Sequence, residues 1–232
     1  MTVIGDIFKY VLYEWRDILL TKIFQKELIK PLMKYREMDI IKEVILALNP
    51  KKVLEWGTGY STLYFPKYLP KHSLWISIEH DIKWFKKIKV LNQNPNVKIH
   101  LVLPNNSPWS DEYGDGDIYD LKDYVEFPCQ FGKFDLIIID GRARKYCFLK
   151  ALELLSNNGV IILHDANRRY YHDVFSRCKY RLILTDSRND AGGIMIGSMD
   201  LKLNTILNIK KYKSLWYYIR NLEGAGQMLL RV

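Results

Sequence analysis

The segment 134–140 constrains the fold of this chain more than any other. Its sequence, Phe-Asp-Leu-Ile-Ile-Ile-Asp, holds an unbroken series of aliphatic residues that ends in an acid. Such a run is typical of a parallel strand that is buried on both faces of a sheet, because a strand with one solvated face alternates apolar with polar residues. Helices must then cover both faces of the sheet, and the run therefore predicts an α/β fold.

The rest of the chain has the alternation of short apolar runs and amphipathic segments that such a fold needs. We predict further strands at 52–55, 74–78, 97–103, 160–164, 181–185 and 193–197, and helices at 4–32, 39–48, 62–69, 82–91, 146–155, 168–178 and 209–222. Residues 104–132 are rich in Gly, Asp, Asn and Pro and are predicted to form a long loop. The alternation predicts a doubly wound, mostly parallel sheet that binds ligands beyond the carboxyl ends of its strands.

We divide the chain into an N-terminal helical extension (1–38), a ligand-binding domain (39–200) and a C-terminal helical extension (201–232). The N-terminal extension has apolar residues at helical spacing. This amphipathic helix could cover an edge of the sheet, form the contact of a homodimer or lie on a membrane. The membrane role is the least favoured of the three, because the polar residues of the helix mix acids and bases.

Composition limits the class of protein. The 232 residues carry a formal net charge of +9, which favours anionic partners but also serves solubility. The three cysteines form no C-x-x-C pair, so neither a zinc ribbon nor a disulfide framework is expected. No segment has the roughly 18 uncharged apolar residues of a membrane span, and charged residues interrupt the apolar N-terminus where a signal peptide would lie. We therefore expect a cytoplasmic enzyme.

A glycine turn follows the first predicted strand, with the sequence Glu55-Trp-Gly57-Thr58-Gly59-Tyr-Ser61. Gly57 and Gly59 permit a tight turn and the close approach of a ligand, although a plain strand-to-helix turn can have the same pattern. Polar groups at the start of the next helix can hold such a ligand. A third glycine at dinucleotide spacing is missing, and the carboxylate of Glu55 would repel a pyrophosphate. The turn therefore favours a cationic, sulfonium-type cofactor over NAD.

Glu79 and His80 follow the second predicted strand, about twenty residues beyond the glycine turn. An acid at this position can accept hydrogen bonds from the hydroxyls of a ribose. The alternative is that the acids here only cap the next helix, a role that suits Asp81. We predict that Glu79 binds a ribose and that His80 belongs to the same cofactor site.

These motifs resemble those of the class I S-adenosylmethionine (SAM)-dependent methyltransferases, in their O-methyltransferase-like branch. The resemblance covers roughly residues 40–198 and rests on the segments 53–61, 76–81, 134–142 and 155–165. It implies a Rossmann-like sheet that ends in a C-terminal antiparallel strand, with helices on both faces. It also implies methyl transfer from SAM, with the glycine turn around the methionine part of SAM, Glu79 on the ribose and Asp140 nearby.

Charged and polar residues follow the two predicted strands that would end beside the cofactor. They are Asp140, Arg142, Arg144, His164, Asp165, Arg168 and Tyr171. Methyl transfer to oxygen needs a deprotonated or polarised acceptor, and either Asp140 or His164 could be the general base. Arg142 is a further catalytic candidate. Arg144, Arg168 and Tyr171 are candidates for binding an anionic acceptor, although such arginines often only pair with nearby acids.

A divalent metal could replace the general base, because it lowers the pKa of a hydroxyl that it binds. Asp140 and Asp165 resemble, by position, two metal ligands of the catechol-type O-methyltransferases. Those enzymes place an amide or an acid directly after the second aspartate, whereas here Ala166 follows it and Asn167 comes one residue later. A Mg²⁺ ion at Asp140 and Asp165 is therefore a candidate cofactor that this departure puts in doubt.

The favoured function is O-methylation of a small-molecule or saccharide acceptor, and the arginines favour an acidic one. The D-G-R-x-R and H-D-x-x-R patterns also resemble a branch of bacterial methyltransferases that is distantly similar to plant enzymes acting on the uronic acids of xylan. Nucleic acid is disfavoured, since neither N-P-P-Y nor D-P-P-Y follows the strand 134–140. An aminopropyl transferase-like enzyme and a catalytically silent nucleotide-binding module are the alternatives, because a fold does not fix a function.

Overall fold

The computed structural model of the protein describes residues 3–109, 111, 113–186 and 191–225. The strands are β1 (Lys52–Trp56), β2 (Leu74–Glu79), β3 (Val97–Leu101), β4 (Phe134–Ile139), β5 (Leu155–His164), β6 (Tyr180–Leu184) and β7 (Ile194–Ser198). The α-helices are α1 (Val3–Ile18), α2 (Tyr35–Leu48), α3 (Tyr60–Tyr64), α4 (Ile82–Leu91), α5 (Ile118–Glu126), α6 (Arg144–Leu154), α7 (His172–Phe175) and α8 (Ile209–Ala225). Short helical turns include Leu19–Ile23 after α1, Phe65–Tyr68 after α3, Phe127–Phe131 after α5 and Arg169–Tyr171 before α7.

The seven strands of the described residues form one sheet in the order β3-β2-β1-β4-β5-β7-β6. Neighbouring strands from β3 to β5 are parallel, and β7 runs antiparallel to both β5 and β6. The predicted doubly wound sheet with a C-terminal antiparallel strand is therefore confirmed. The strand order reverses between β1 and β4, and in such sheets a crevice opens beyond the carboxyl ends of the strands at this switch point.

Strand β4 is buried on both faces, as its aliphatic run predicts. Leu136 and Ile138 join one core with residues of α1, α2 and α8, while Ile137 and Ile139 join a second core with residues of α5, α6 and α7. Successive side chains of a strand point to opposite faces, so a strand between two helical layers has no position for a polar residue. Helices on both faces of the sheet are thus confirmed.

The prediction of a structureless loop at 104–132 was wrong, because α5 and a short helical turn lie within it. The side chain of Asp117 caps α5 by accepting hydrogen bonds from the N–H groups of Tyr119 and Asp120, at 2.7 and 3.1 Å. Leu121 and Tyr124 are fully buried in the second core. Tertiary burial of a few apolar residues thus outweighs the Gly-, Asp- and Pro-rich composition on which the loop prediction rested.

Three helix and strand bounds also differ from the predictions. Strand β5 begins at Leu155, so it includes the Asn-Asn-Gly sequence that was expected to end the preceding helix. The predicted helix at 168–178 is only the turn Arg169–Tyr171 followed by α7. The N-terminal helix ends at Ile18 and continues as the turn Leu19–Ile23, rather than reaching residue 32.

Both helical extensions pack on the core of the sheet. Helix α2 begins at Tyr35, so the boundary placed after residue 38 falls within its first two turns. Tyr10 of α1 and Trp216 of α8 lie in the same core as α2. Residues 226–232 of the proposed C-terminal extension lie outside the described residues. None of the described helices combines the length and the hydropathy that crossing a membrane requires.

Candidate active site at the carboxyl ends of the central strands

A cavity of about 700 Å³ opens at the carboxyl ends of β1, β2, β4 and β5. Its volume lies in the range of small-molecule sites. Most of the predicted site residues line it, namely Gly57, Thr58, Gly59, Ser61, Glu79, His80, Asp140, Arg142, Arg144, His164 and Asp165. Three other predicted site residues, Glu55, Arg168 and Tyr171, are not part of its lining. The cavity lies where the strand order reverses, as the fold requires of a ligand site.

Gly57 holds the turn after β1 close to the turn after β4. Its φ angle of +95° is one that residues with a side chain rarely adopt. A Cβ atom on Gly57 would also lie 2.5 Å from the Cα of Gly141, which leaves no room for any side chain. The N–H of Gly57 donates to the carbonyl of Ile78 at 2.9 Å. Glycine is therefore required here for backbone packing, and the same packing shapes the floor of the cavity.

Glu55 lies beneath this turn and not in the cavity. Its buried carboxylate accepts four hydrogen bonds, from Ser61 (2.5 Å), Thr62 (2.6 Å), Trp75 (2.9 Å) and Ser77 (2.8 Å). Burial raises the pKa of Glu55 to about 7, against the lowering effect of these four donors. The prediction that Glu55 contacts the methionine part of a cofactor is therefore corrected: Glu55 ties β1, β2 and α3 together.

Glu79 ends β2 on the wall of the cavity. Its Oε2 atom accepts the N–H of Thr58 at 2.9 Å, and its Oε1 atom accepts the N–H groups of His80 and Asp81, each at 2.8 Å. Asp81 in turn caps α4 by accepting the N–H groups of Lys83 and Trp84. The carboxylate of Glu79 is thus fixed in one orientation, and its Oε2 atom, which accepts one hydrogen bond, keeps a lone pair for a ligand.

His164 lies between two carboxylates at the end of β5. Its Nδ1 atom is 2.9 Å from Oδ1 of Asp140, and its Nε2 atom is 3.1 Å from Oε2 of Glu37. Burial opposes a charge on the imidazole, but Asp140 and Glu37 outweigh it and raise the pKa of His164 well above its usual value. His164 is therefore an imidazolium at neutral pH, which argues against its predicted role as the general base.

Arg144 holds the ends of β4 and β5 together from the first turn of α6. The buried guanidinium donates to the carbonyls of Gly141 and His164 and to the Oδ2 atom of Asp165, at 2.8 to 2.9 Å. Burial again opposes ionisation of Asp165, but His164 and Arg144 outweigh it and lower the pKa of Asp165 to about 2. The predicted binding of an acceptor by Arg144 is corrected, because its donors already serve this internal network.

Tyr171 and Arg168 also serve internal contacts. Tyr171 is fully buried, and its hydroxyl donates to Asp115 at 3.2 Å. A guanidinium nitrogen of Arg168 is 3.3 Å from the hydroxyl of Tyr171, and another is 3.4 Å from Asp165. Since neither residue lines the cavity, the prediction that they bind the acceptor is corrected.

Arg142 is the predicted arginine that remains available to a ligand. It is half-buried on the cavity wall, and its guanidinium lies 5.7 Å from the ring centre of Trp109 in the loop before α5. Within the described ranges, no carboxylate lies at ion-pair distance from Arg142. An arginine that is held over an indole keeps its N–H fork free for a carboxylate or a phosphate.

The donor set at Asp140 and Asp165 does not fit a Mg²⁺ ion. Ligand atoms of Asp140, His164 and Asp165 lie within 4.8 Å of one another, which would suit a metal by distance alone. Both oxygens of Asp165, however, already accept hydrogen bonds, from the N–H of Gly192 at 2.7 Å and from Arg144 at 2.9 Å. A divalent ion would face the guanidinium of Arg144, which lies 2.9 Å from Asp165 and 3.5 Å from Asp140, whereas Mg²⁺ requires about six oxygen ligands.

Asn167 does not complete such a site either. Its amide donates to the carbonyl of Ala191 at 2.6 Å and accepts the N–H of Asp186 at 2.9 Å. These bonds hold the chain that follows β5 against the chain between β6 and β7. The amide is therefore not available as the third ligand that the resemblance to the metal-dependent enzymes would require.

Glu37 does not line the cavity but contacts His164, and the sequence analysis did not single it out. It lies in the first turn of α2, is fully buried, and accepts the N–H groups of Lys34 and Gly193 in addition to its contact with His164. Glu37 and His164 are 127 positions apart in the sequence. No local sequence pattern identifies this acid. Residues 25–34, which lead into α2, form neither helix nor strand, so the sequence does not indicate where the start of α2 packs.

Comparison with known proteins gives structural matches only. A methyltransferase-like protein from Silicibacter pomeroyi matches with a TM-score of 0.52 at 19% identity, over 79% of this chain and 96% of that one. An O-methyltransferase from Bacillus cereus, solved with S-adenosylhomocysteine (SAH), matches with a TM-score of 0.52 at 18% identity, over 81% and 90%. Spermidine synthase from Thermotoga maritima matches with a TM-score of 0.50 at 14% identity, over 84% and 74%. No family model and no curated protein matches the sequence.

Matches at such low sequence identities show the fold only, so the reaction must be inferred from the residues of the site. The antiparallel β7 is a feature that the resemblance to the methyltransferases implied, and the cavity lies beyond the carboxyl ends of the strands, as expected of a doubly wound sheet. Solved methyltransferases match nearly their whole length to this chain. The chain therefore has the Rossmann-like fold of the class I SAM-dependent methyltransferases.

Proposed function

We propose that the protein is a SAM-dependent methyltransferase that acts on a hydroxyl oxygen of a small, acidic acceptor. One observation carries the proposal: a single cavity is lined by a glycine turn, by a ribose-binding type of carboxylate and by Asp140. A cofactor of two parts needs such a continuous site, because its reactive centre must face the acceptor while its nucleoside is held apart.

The glycine turn and Glu79 would hold the cofactor. Gly59 leaves open space next to Ser61 and Trp84, since a Cβ there would meet no atom closer than 3.5 Å. Glu79 accepts a ribose hydroxyl with the lone pair that its backbone donors leave. When bound, SAM supplies a methyl group on a positively charged sulfur. The carboxylate of Asp140, which lines the same cavity, offers a complementary charge.

Asp140 is the proposed general base. Its Oδ1 atom pairs with the imidazolium of His164, while its Oδ2 atom has no hydrogen bond to any described residue. Asp140 would accept the proton of the acceptor hydroxyl while the oxygen forms its bond to the methyl carbon and the sulfur leaves. His164 keeps Asp140 in place and is a positioning residue in this scheme.

Arg142 supports an acidic acceptor, such as a uronic acid. It is available on the cavity wall, and Lys83 also lines this cavity. An acceptor carboxylate could form a bidentate pair with the guanidinium of Arg142 and present a hydroxyl to Asp140. The same cations argue against an aminopropyl transferase, because a polyamine acceptor would face Arg142 and the imidazolium of His164.

Binding of SAH tests the cofactor class. We expect calorimetric titration of the purified protein to show micromolar binding of SAH and no binding of NAD. Replacing Glu79 by Gln should weaken SAH binding by tenfold or more, since a charged hydrogen bond contributes about 1.5–3 kcal/mol. The exposed Glu153, replaced by Gln, is the matched control. Wild-type affinity in the Glu79→Gln variant would remove the ribose assignment, and absent SAH binding would remove the proposal.

Metal independence is expected of this site. Titration with Mn²⁺, a spectroscopic substitute for Mg²⁺, should reveal no site with a dissociation constant below about 1 mM, because the guanidinium of Arg144 already pairs with both aspartates. Methyl transfer, measured as SAH release with an acceptor found by screening acidic saccharides, should be the same in EDTA and in Mg²⁺. Tight Mn²⁺ binding that the Asp165→Asn variant loses would instead restore the metal site.

A catalytically silent module is the remaining alternative. It would bind SAH with the same dependence on Glu79 and release no product with any acceptor. Turnover by the wild-type protein separates the two hypotheses, and the Asp140 variant described below then tests the mechanism.

A further inference from the structure

Helix α1 directs Tyr10 and two of its acids inward, and it also carries a row of exposed apolar residues on its outer side. Asp6 and Asp17 are almost fully buried, at 1% and 7% exposure. Ile4, Phe8 and Trp15 are 76%, 64% and 64% exposed. The outward residues recur at spacings of three and four and continue through the turn Leu19–Ile23. We call them the apolar face of α1, and they are Ile4, Phe8, Leu12, Trp15, Leu19 and Ile23.

The inward acids of α1 are neutralised by partners within the protein. Asp6 is 3.1 Å from Nζ of Lys211 on α8. Asp17 accepts hydrogen bonds from Lys30 at 2.8 Å and from the hydroxyl of Tyr35 at 2.5 Å. The fold therefore directs Asp6 and Asp17 inward, away from the exposed bases of α1, and these two acids contribute little charge to the outer surface.

The exposed charges around the apolar face of α1 are mostly basic. Between residues 3 and 27, the exposed charged side chains are Arg16, Lys22, Lys26 and Glu27, and Glu27 pairs with Lys87 at 2.6 Å. Helix α8, which contacts α1, adds exposed Lys210 and Lys213 without any acid between residues 209 and 221. The face therefore combines a stripe of apolar and aromatic residues with a basic rim.

This combination favours a lipid surface over a second copy of the chain. A two-fold contact between copies would bring the same patch of each together, so Arg16, Lys22 and Lys26 would face their own counterparts. Anionic lipid headgroups would instead complement these charges, while Phe8 and Trp15 enter the boundary between headgroups and acyl chains. A helix with apolar aromatic residues on one side and Lys and Arg beside them is typical of segments that lie in a membrane interface.

We propose that the apolar face of α1 binds the surface of an anionic lipid membrane, with the helix lying in the plane of that surface. The helix and its following turn are about 30 Å long at 1.5 Å per residue, long enough for all six apolar side chains to be buried together. The proposal does not depend on the methyltransferase function, because none of the six residues lines the cavity.

Co-sedimentation with lipid vesicles tests the proposal. We expect the full chain to bind vesicles of phosphatidylglycerol mixed with phosphatidylcholine, to bind pure phosphatidylcholine at least tenfold more weakly, and to be released from the anionic vesicles by salt. The double variant Phe8→Ser/Trp15→Ser should lose tenfold or more in partitioning, since each side chain contributes 1.5–3 kcal/mol when fully buried. Val90→Ser is the matched control, because Val90 is an even more exposed apolar residue on α4.

Charge variants and the oligomeric state complete the test. Lys22→Glu/Lys26→Glu should weaken binding to the anionic vesicles, whereas Lys86→Glu on α4 should not. Unchanged binding in the Phe8/Trp15 variant, or no binding by the wild type, would overturn the proposal. A wild-type dimer in sedimentation velocity that becomes a monomer in the Phe8/Trp15 variant, without vesicle binding, would assign the face to a second copy. SAH binding and circular dichroism should be unchanged in every variant, which separates this test from that of the cofactor site.

Discussion

Replacing Asp140 by Asn is expected to lower kcat for methyl transfer by about 10²- to 10⁴-fold, the usual contribution of a general base. The change is isosteric, and the amide oxygen can still accept the hydrogen bond that Nδ1 of His164 makes to Asp140. What the variant lacks is a group that can take the proton of the acceptor hydroxyl. Affinity for SAH should change little, because Asp140 is only one of several residues that line the cavity.

Asp200→Asn is the matched control for this variant, since Asp200 is exposed after β7 and far in sequence from the site. SAH release during steady-state turnover gives kcat, and calorimetry gives the affinity for SAH. If SAH binding fell together with activity, Asp140 would belong to the cofactor site rather than to the transfer of a proton. If kcat were unchanged, another group would be the base.

The fold could be predicted from the sequence because its signals are local. The aliphatic run of β4 indicates a strand that is buried on both faces. The glycine at position 57 indicates a turn with a positive φ angle. Both signals lie within a few residues of sequence. Helix α5 was missed because its formation depends on the burial of Leu121 and Tyr124 against distant elements. The local composition around α5 does not indicate such long-range contacts.

The candidate site could be predicted in position but only partly in role. All residues that follow a parallel strand reach the same edge of the sheet, so the sequence places Asp140, Arg144 and His164 together. It does not say which charges are compensated. The burial of Arg144 and the contact between His164 and Glu37 come from tertiary packing. Because of them, an expected acceptor-binding group and an expected general base are instead supports.

These supports form one network of alternating charge. Glu37, the imidazolium of His164 and Asp140 follow one another at hydrogen-bond distances, and Arg144 connects the same strand ends to Asp165. Buried charges of this kind are tolerated only when each has its partner. The network therefore couples α2 to the carboxyl ends of β4 and β5, and it makes the orientation of Asp140 depend on a residue outside the predicted ligand-binding domain.

Removing Glu37 should test that coupling. We expect Glu37→Ala to lower the free energy of unfolding by about 3–5 kcal/mol at pH 6, because it leaves His164 without one of its two carboxylates in a buried position. It also removes the acceptor of the N–H groups of Lys34 and Gly193. Chemical denaturation gives the free energy, and Glu153→Ala, at an exposed position, is the control. Glu37→Gln, which retains an acceptor oxygen, serves if the alanine variant does not fold.

The pH dependence distinguishes loss of the ion pair from loss of packing at Glu37. The pKa of His164 is raised in the folded protein, so the stability that its charge contributes is complete below the unfolded pKa of about 6.5 and is lost as the pH rises through the raised value. The difference in unfolding free energy between the wild type and Glu37→Ala should therefore shrink as the pH rises above about 6.5. A difference that stays constant with pH would mean that Glu37 acts only through its backbone contacts, and that His164 does not carry the charge that holds Asp140 in place.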